Sequence, residues 1–239
     1  MSLAIEFKKR ETEMQLHKGI LLGAYAIGLS LSLGVPANAA VLLDFVGLNE
    51  AVQEGPLNYY DGGFGSNGSG PGPNYGITFS SNSSTCQPYP AGGCNTQGLP
   101  SGNALFYYTG PSSTMDVTGG FTTGFSFYYT SPFTTGTSVS VYSGLDGTGT
   151  LLATLSLPQT PSDASCVQPY CPYEPIGVAF AGTAYSVDFA GTTDQVAFGD
   201  ITLGSVIPQT GVPEPFTLSL LGAGLAGAAA MRRRWKQRA

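Results

Sequence analysis

No stretch between residues 40 and 211 carries a helical period, and the apolar runs there are short and stop at glycine or proline. A segment without a 3.6-residue stripe cannot bury one face of a helix, so the sequence predicts strands. The runs are Val41–Val46, Tyr75–Ser80, Ala104–Tyr108, Thr114–Thr118, Gly124–Thr130, Thr137–Tyr142, Leu151–Leu157, Ile176–Phe180, Ala184–Phe189, Gln195–Phe198 and Ile201–Leu203. Thr137–Tyr142 alternates cleanly, Phe125 and Phe127 share a face, and Leu151, Ala153, Leu155 and Leu157 share another. About ten short strands with regular turn signals predict an all-β fold, an antiparallel β-sandwich, with a jelly roll as the expected topology. Gly47–Pro73 reads as a long surface loop suited to binding. Asp146-Gly147 reads as a hairpin turn rather than a ligand loop.

The charges lie elsewhere. All nine Lys and Arg fall in the two ends: Lys8, Lys9, Arg10 and Lys18, then Arg232, Arg233, Arg234, Lys236 and Arg238. The single His is His17. The segment Ala40–Gly211, about 172 residues and one domain's worth, thus has acids only: Asp44, Glu50, Glu54, Asp61, Asp116, Asp146, Asp163, Glu174, Asp188, Asp194 and Asp200. Nucleic-acid binding and phosphoryl transfer need cations that this segment lacks. A Ser-His-Asp triad or a His-based zinc site cannot be assembled without His. Oxygen-ligand metals and carboxylate-pair chemistry stay open.

Cys86, Cys94, Cys166 and Cys171 form an even set. Local pairing, Cys86 with Cys94 and Cys166 with Cys171, would staple two Pro/Gly-rich loops, which suits an exported domain. A four-thiolate zinc site is the alternative, against which stands the lack of a tight Cys-x-x-Cys.

Both termini have the form of export signals. A basic stretch precedes the uncharged, Leu-rich Gly19–Val35, and Ala37 and Ala39 then make an Ala-x-Ala site before Ala40. Residues 1–39 therefore read as a signal peptide with an apolar helix, cleaved after Ala39; Met14 is an alternative start. At the far end, Val212-Pro213-Glu214-Pro215 precedes the uncharged Phe216–Met231 and the cluster Arg232, Arg233, Arg234. As a helix the apolar run would reach ~24 Å, a little under a ~30 Å hydrocarbon core. The cations would hold it with residues before Val212 outside.

This layout resembles the PEP-CTERM sorting signal of Gram-negative bacteria. The resemblance implies recognition by an exosortase-type membrane transpeptidase at the inner membrane, then delivery to the cell surface or extracellular matrix. An uncut tail anchor is the alternative. The organisation is then signal peptide 1–39, β-sandwich 40–208, linker 209–211 and a sorting signal 212–239 with a transmembrane helix. The core, with Asp44-Phe45-x-Gly47-Leu48, Tyr75–Phe79 and Phe198-x-Asp200-Ile201-Thr202-Leu203-Gly204, resembles β-sandwich domains found ahead of such tails. That second resemblance implies a lectin-like or carbohydrate-binding fold and no established activity.

Three chemistries are candidates. Asp44 on the first strand and Asp200 on the last could hold a structural Ca²⁺, with Asn58 and Asp61 as helpers; otherwise they are strand-end carboxylates bonded to backbone N–H groups. Tyr59-Tyr60, Tyr107-Tyr108 and Tyr128-Tyr129 could line a sugar face, one of each pair being core, because neighbours on a strand point oppositely. No acid pair is framed as a hydrolytic cleft. The expected role is structural or adhesive in an exopolysaccharide matrix; the alternative is a carbohydrate-binding module, and a glycan-active enzyme comes third. No catalytic residue and no nucleic-acid partner are expected.

Overall fold

The computed structural model describes residues 40–48, 53–133, 136–161 and 163–211. The expected signal helix, Ala37, Ala39, the transmembrane helix and the sorting residues Val212, Pro213, Glu214, Pro215, Arg232, Arg233 and Arg234 lie outside these. In chain order the strands are β1 (Val41–Leu43), β2 (Ile77–Phe79), β3 (Ser83–Cys86), β4 (Pro88–Tyr89), β5 (Cys94–Gln97), β6 (Ala104–Tyr107), β7 (Thr114–Phe121), β8 (Gly124–Thr130), β9 (Thr137–Tyr142), β10 (Leu151–Leu157), β11 (Glu174–Ala179), β12 (Ala184–Ala190) and β13 (Ala197–Leu203).

Eleven of them form two antiparallel sheets, and β4 and β5 make a separate parallel pair. One runs β11-β8-β13-β6-β3 with β1 also on β13; the other runs β10-β9-β12-β7-β2. From β6 onward successive strands cross between the sheets, except for the β9–β10 hairpin. The resulting orders β11-β8-β13-β6 and β10-β9-β12-β7 are those of a jelly roll. The inner faces meet in an aromatic core. Phe198 packs edge-on against Phe127 at 5.3 Å and Phe189 at 4.9 Å, and Tyr107 lies 5.1 Å from Phe189. Edge-to-face rings suit the aromatic quadrupole, and each such buried ring contributes about 1.5–3 kcal/mol by leaving water.

Where the strand phase departs from the sequence reading, a bulge is the cause. Leu151 is exposed although Leu155 and Leu157 are buried, because the pairing of β10 with β9 slips between Leu151 and Ala153. The two runs Gln195–Phe198 and Ile201–Leu203 are one strand, β13, joined through a register shift between Gly199 and Thr202. β3 has no apolar alternation to announce it. Its Ser83, Ser84 and Thr85 are all buried, and Thr85 exchanges backbone hydrogen bonds with Glu54 at 2.8 and 3.2 Å.

The long loop is also less free than its glycines suggest. The carboxylate of buried Glu54 accepts the N–H groups of Asn67 at 2.8 Å and Ser69 at 3.1 Å, closing the Gly65–Gly70 segment over it. A carboxylate held by backbone donors avoids the cost of unpaired burial. A side chain at Gly65 would place its Cβ 2.5 Å from that carboxylate. Asp146 and Gly147 both take positive φ, 55° and 65°, at the centre of a turn closed by Thr148 N–H to the Leu145 carbonyl at 3.1 Å. This is the primed geometry Asp-Gly favours, set within a longer connection than a two-residue hairpin.

Candidate functional site

The β1–β13 register pairs Leu43 with Ile201 and so brings Asp44 beside Asp200. On that flank β13 passes from pairing with β6 at Phe198 to pairing with β1 at Ile201. Asp200 occupies the seam in a left-handed conformation, φ 48°, and is fully buried. Its carboxyl accepts the Ser101 N–H at 3.2 Å and a short hydrogen bond from the Ser101 hydroxyl. Burial pushes its pKa up to about 6; the Ser101 bonds work against that shift and the nearby Asp44 charge adds to it. Asp44 turns to its own backbone, accepting the Val46 N–H at 3.1 Å.

The expected helpers form the turn of the long loop. The Asn58 carbonyl accepts the N–H groups of Asp61 and Gly63, both at 2.9 Å, and Asp61 bridges Asn74. Among the described residues no three carboxylates, cysteines or histidines gather as a metal cluster. The two aspartates are therefore brought together, and each has a backbone donor.

A second arrangement was not legible as a site. Cys86 closes β3 and is disulfide-bonded to Cys94 at the start of β5; Cys166 is bonded to Cys171. Both local pairings thus hold, yet the two loops are not independent. Tyr170 N–H donates to the Asn95 carbonyl at 3.1 Å, and Gln97 N–H to the Tyr170 carbonyl at 3.0 Å. The Gln97 side-chain oxygen takes the N–H groups of Val167 at 2.9 Å and Gln168 at 3.3 Å. These bonds zip the cysteine loops into one cover beside the outer face of the six-stranded sheet.

Under this cover lies a cavity of about 150 Å³ lined by Asn95, Thr96, Phe106, Tyr108, Tyr170 and Asp194, among others. A void on the order of 150 Å³ accommodates one six-membered ring. Phe106 and Tyr108 stand edge to face at 4.9 Å, and Tyr108 is 44 % exposed. Tyr170 donates its phenol to the Asp194 carbonyl at 3.1 Å. Burial raises the pKa of this phenol, and the Asp194 charge raises it further. Thr96 is buried at the wall, its hydroxyl without a well-formed hydrogen bond; the neighbouring buried Tyr173 hydroxyl also lacks one. Rings, amide and hydroxyl groups on a disulfide-fixed frame can stack on a flat polar ring and bond its edge.

The tyrosine pairs divide as expected on strands: Tyr107 and Tyr129 are core, while Tyr108 is exposed. Tyr59 and Tyr60 do not. Both are buried because they lie in a turn, with Tyr59 donating to the Val46 carbonyl and Tyr60 accepting the Phe45 N–H. Phe106, Asn95, Thr96, Tyr170 and Asp194 carried no motif. The one available signal was an aromatic inside each cysteine loop, Tyr89 and Tyr170. The long loop contributes Gln53 to the cavity.

No protein-family model and no curated protein matches the chain. Solved structures of carbohydrate-binding modules align to it. One is the module from Cellvibrio mixtus lichenase 5A in complex with cellotriose: 13 % identity, TM-score 0.32, covering 55 % of this chain and 89 % of that one. A family 6 carbohydrate-binding module gives 17 %, 0.33, 55 % and 85 %. CsCBM6-3 from Clostridium stercorarium in complex with cellobiose gives 19 %, 0.30, 49 % and 85 %. Likenesses this distant assign neither a fold family nor a ligand to this chain.

Proposed function

We propose that this is an exported, non-catalytic glycan-binding protein whose jelly roll holds a sugar ring in the cavity between its two cysteine loops. The observation that carries this reading is the cavity itself. Phe106, Tyr108 and Tyr170 line it beside Asn95, Thr96 and Asp194, on loops locked by Gln97 and two disulfides. Asp194 is the single acid among the described lining residues, whereas glycoside hydrolysis uses a pair of carboxylates. The test is retention on a glycan array. The full chain should bind a defined oligosaccharide, Tyr108→Ala and Tyr170→Ala should each lose at least about tenfold in affinity, and Tyr75→Ala should not.

A structural or adhesive role in the envelope or exopolysaccharide matrix belongs to the same proposal, through delivery by the tail. The support is the Val212–Pro215 entry, the apolar run and the terminal arginines, in that order. Deleting residues 212–239 should release the domain instead of leaving it at the inner membrane; continued retention would remove the exosortase substrate and the anchor from the account. A calcium ion at Asp44 and Asp200 is a further part of it, supported by the pairing of two acids at one seam. Ca²⁺ needs six to eight oxygens, so carbonyls or water would have to complete the shell. Calcium should raise the melting temperature of the full chain and chelator lower it, with the shift lost in Asp44→Ala.

A further inference from the structure

Among the described residues Asp194 is the acid that lines this cavity. Its backbone is held on both sides: the N–H donates to the Tyr107 carbonyl at 2.7 Å, and the carbonyl accepts the Tyr170 phenol at 3.1 Å. The residue sits in the left-handed region, φ 54°, and is exposed at the cavity it lines. Backbone and ring are thus committed, while the carboxylate accepts no hydrogen bond from a described residue. Nor does the domain supply a counter-charge: between residues 40 and 211 there is no Lys, Arg or His. The Asp194 charge lies close enough to the Tyr170 phenol, which shares the cavity wall, to add to the effect of burial on it.

We infer that the ring selected by this cavity carries a free amine, an unacetylated amino sugar within a glycan chain; the inference rests on the glycan-binding reading above. An ammonium is the one sugar substituent that the site complements twice. It can donate charge-assisted hydrogen bonds to the Asp194 carboxylate, and a cation held over the ring of Tyr108 or Tyr170, both at the cavity wall, is attracted to it. N-acetylation removes the charge, and both attractions with it. A uronate would meet Asp194 and a domain of uniformly negative side chains, where like charges disfavour approach.

The test is calorimetric titration of the full-length chain with three tetrasaccharides: unacetylated glucosamine, N-acetylglucosamine and galacturonate, with tetralysine as a non-sugar cation. The glucosamine tetramer should bind at least about tenfold more tightly than its acetylated form, and the uronate should not bind. Asp194→Asn, which tolerates the left-handed backbone, should abolish the amine preference while keeping the acetylated affinity. Asp61→Asn, an equal charge change outside the cavity, should leave the preference intact. Equal or tighter binding of the acetylated tetramer, or a preference that survives Asp194→Asn, overturns the amine claim and leaves the glycan reading standing. Tetralysine binding as tightly as the glucosamine tetramer also overturns it. Failure of every tetrasaccharide overturns both.

Discussion

The phenol of Tyr170 donates to the backbone carbonyl of Asp194 at 3.1 Å, joining the second cysteine loop to the turn before β13. Through this bond a surface loop with no regular strand becomes one wall of a fixed cavity. Its rigidity does not come from the Cys166–Cys171 bond alone; Gln97 and the Asn95 carbonyl supply the rest.

Gln97→Ala should therefore weaken both stability and binding. The variant leaves the N–H groups of Val167 and Gln168 without their side-chain acceptor, at a site open enough for water to replace part of the loss. The expected cost is about 1–2 kcal/mol, read from urea unfolding, together with weaker glycan binding. An unchanged affinity would show that the second loop keeps its place without Gln97.

Asp200 sets a pH dependence with a definite sign. Its folded pKa is raised from 3.8 to about 6, so the folded state holds a proton that the unfolded state has already lost. That contribution is complete below about pH 4 and is lost as pH rises through about 6, to an extent of up to roughly 3 kcal/mol. Asp116, whose pKa burial also raises, adds in the same direction. Asp200→Asn should be more stable than the parent at pH 7, by an amount that shrinks towards pH 4. Unfolding midpoints of both proteins at the two pH values decide this.

The disulfides should separate cleanly. Replacing Cys166 and Cys171 with serine opens a short loop and should cost ~2 kcal/mol, while peptide mapping should still recover Cys86 joined to Cys94. Recovery of Cys86 or Cys94 in any other linkage would contradict the local pairing.

Two glycines give a paired test of packing. A Cβ at Gly177 would lie 2.1 Å from the Val206 carbonyl oxygen, whereas one at Gly93 would meet nothing within 4 Å. Gly177→Ala should destabilise by about 1–3 kcal/mol by lifting the segment after β13 off the sheet. Gly93→Ala should be close to neutral.

The sandwich was legible because its best strands alternate: Thr137–Tyr142 and Gly124–Thr130 lie where the pattern put them. β3 was not, since Ser-Ser-Thr-Cys has no apolar face to read and is buried by pairing with Glu54 and β6. The meeting of Asp44 with Asp200 followed from the pairing of the first strand with the last. The cavity could not be read, because it forms where residues about 100 apart in sequence, Asn95 and Asp194, converge through loop–loop hydrogen bonds that leave no periodicity. The same holds for Tyr59 and Tyr60, whose burial depends on a turn rather than a strand.

The most direct measurement is a crystal structure of the protein with a bound oligosaccharide identified on the array. The account predicts one sugar ring beneath the cysteine loops, in contact with Tyr108 and Tyr170 and hydrogen-bonded at Asn95. A ring seated elsewhere, for instance against the exposed Phe64 and Tyr75, with the cavity between the loops empty, would contradict it.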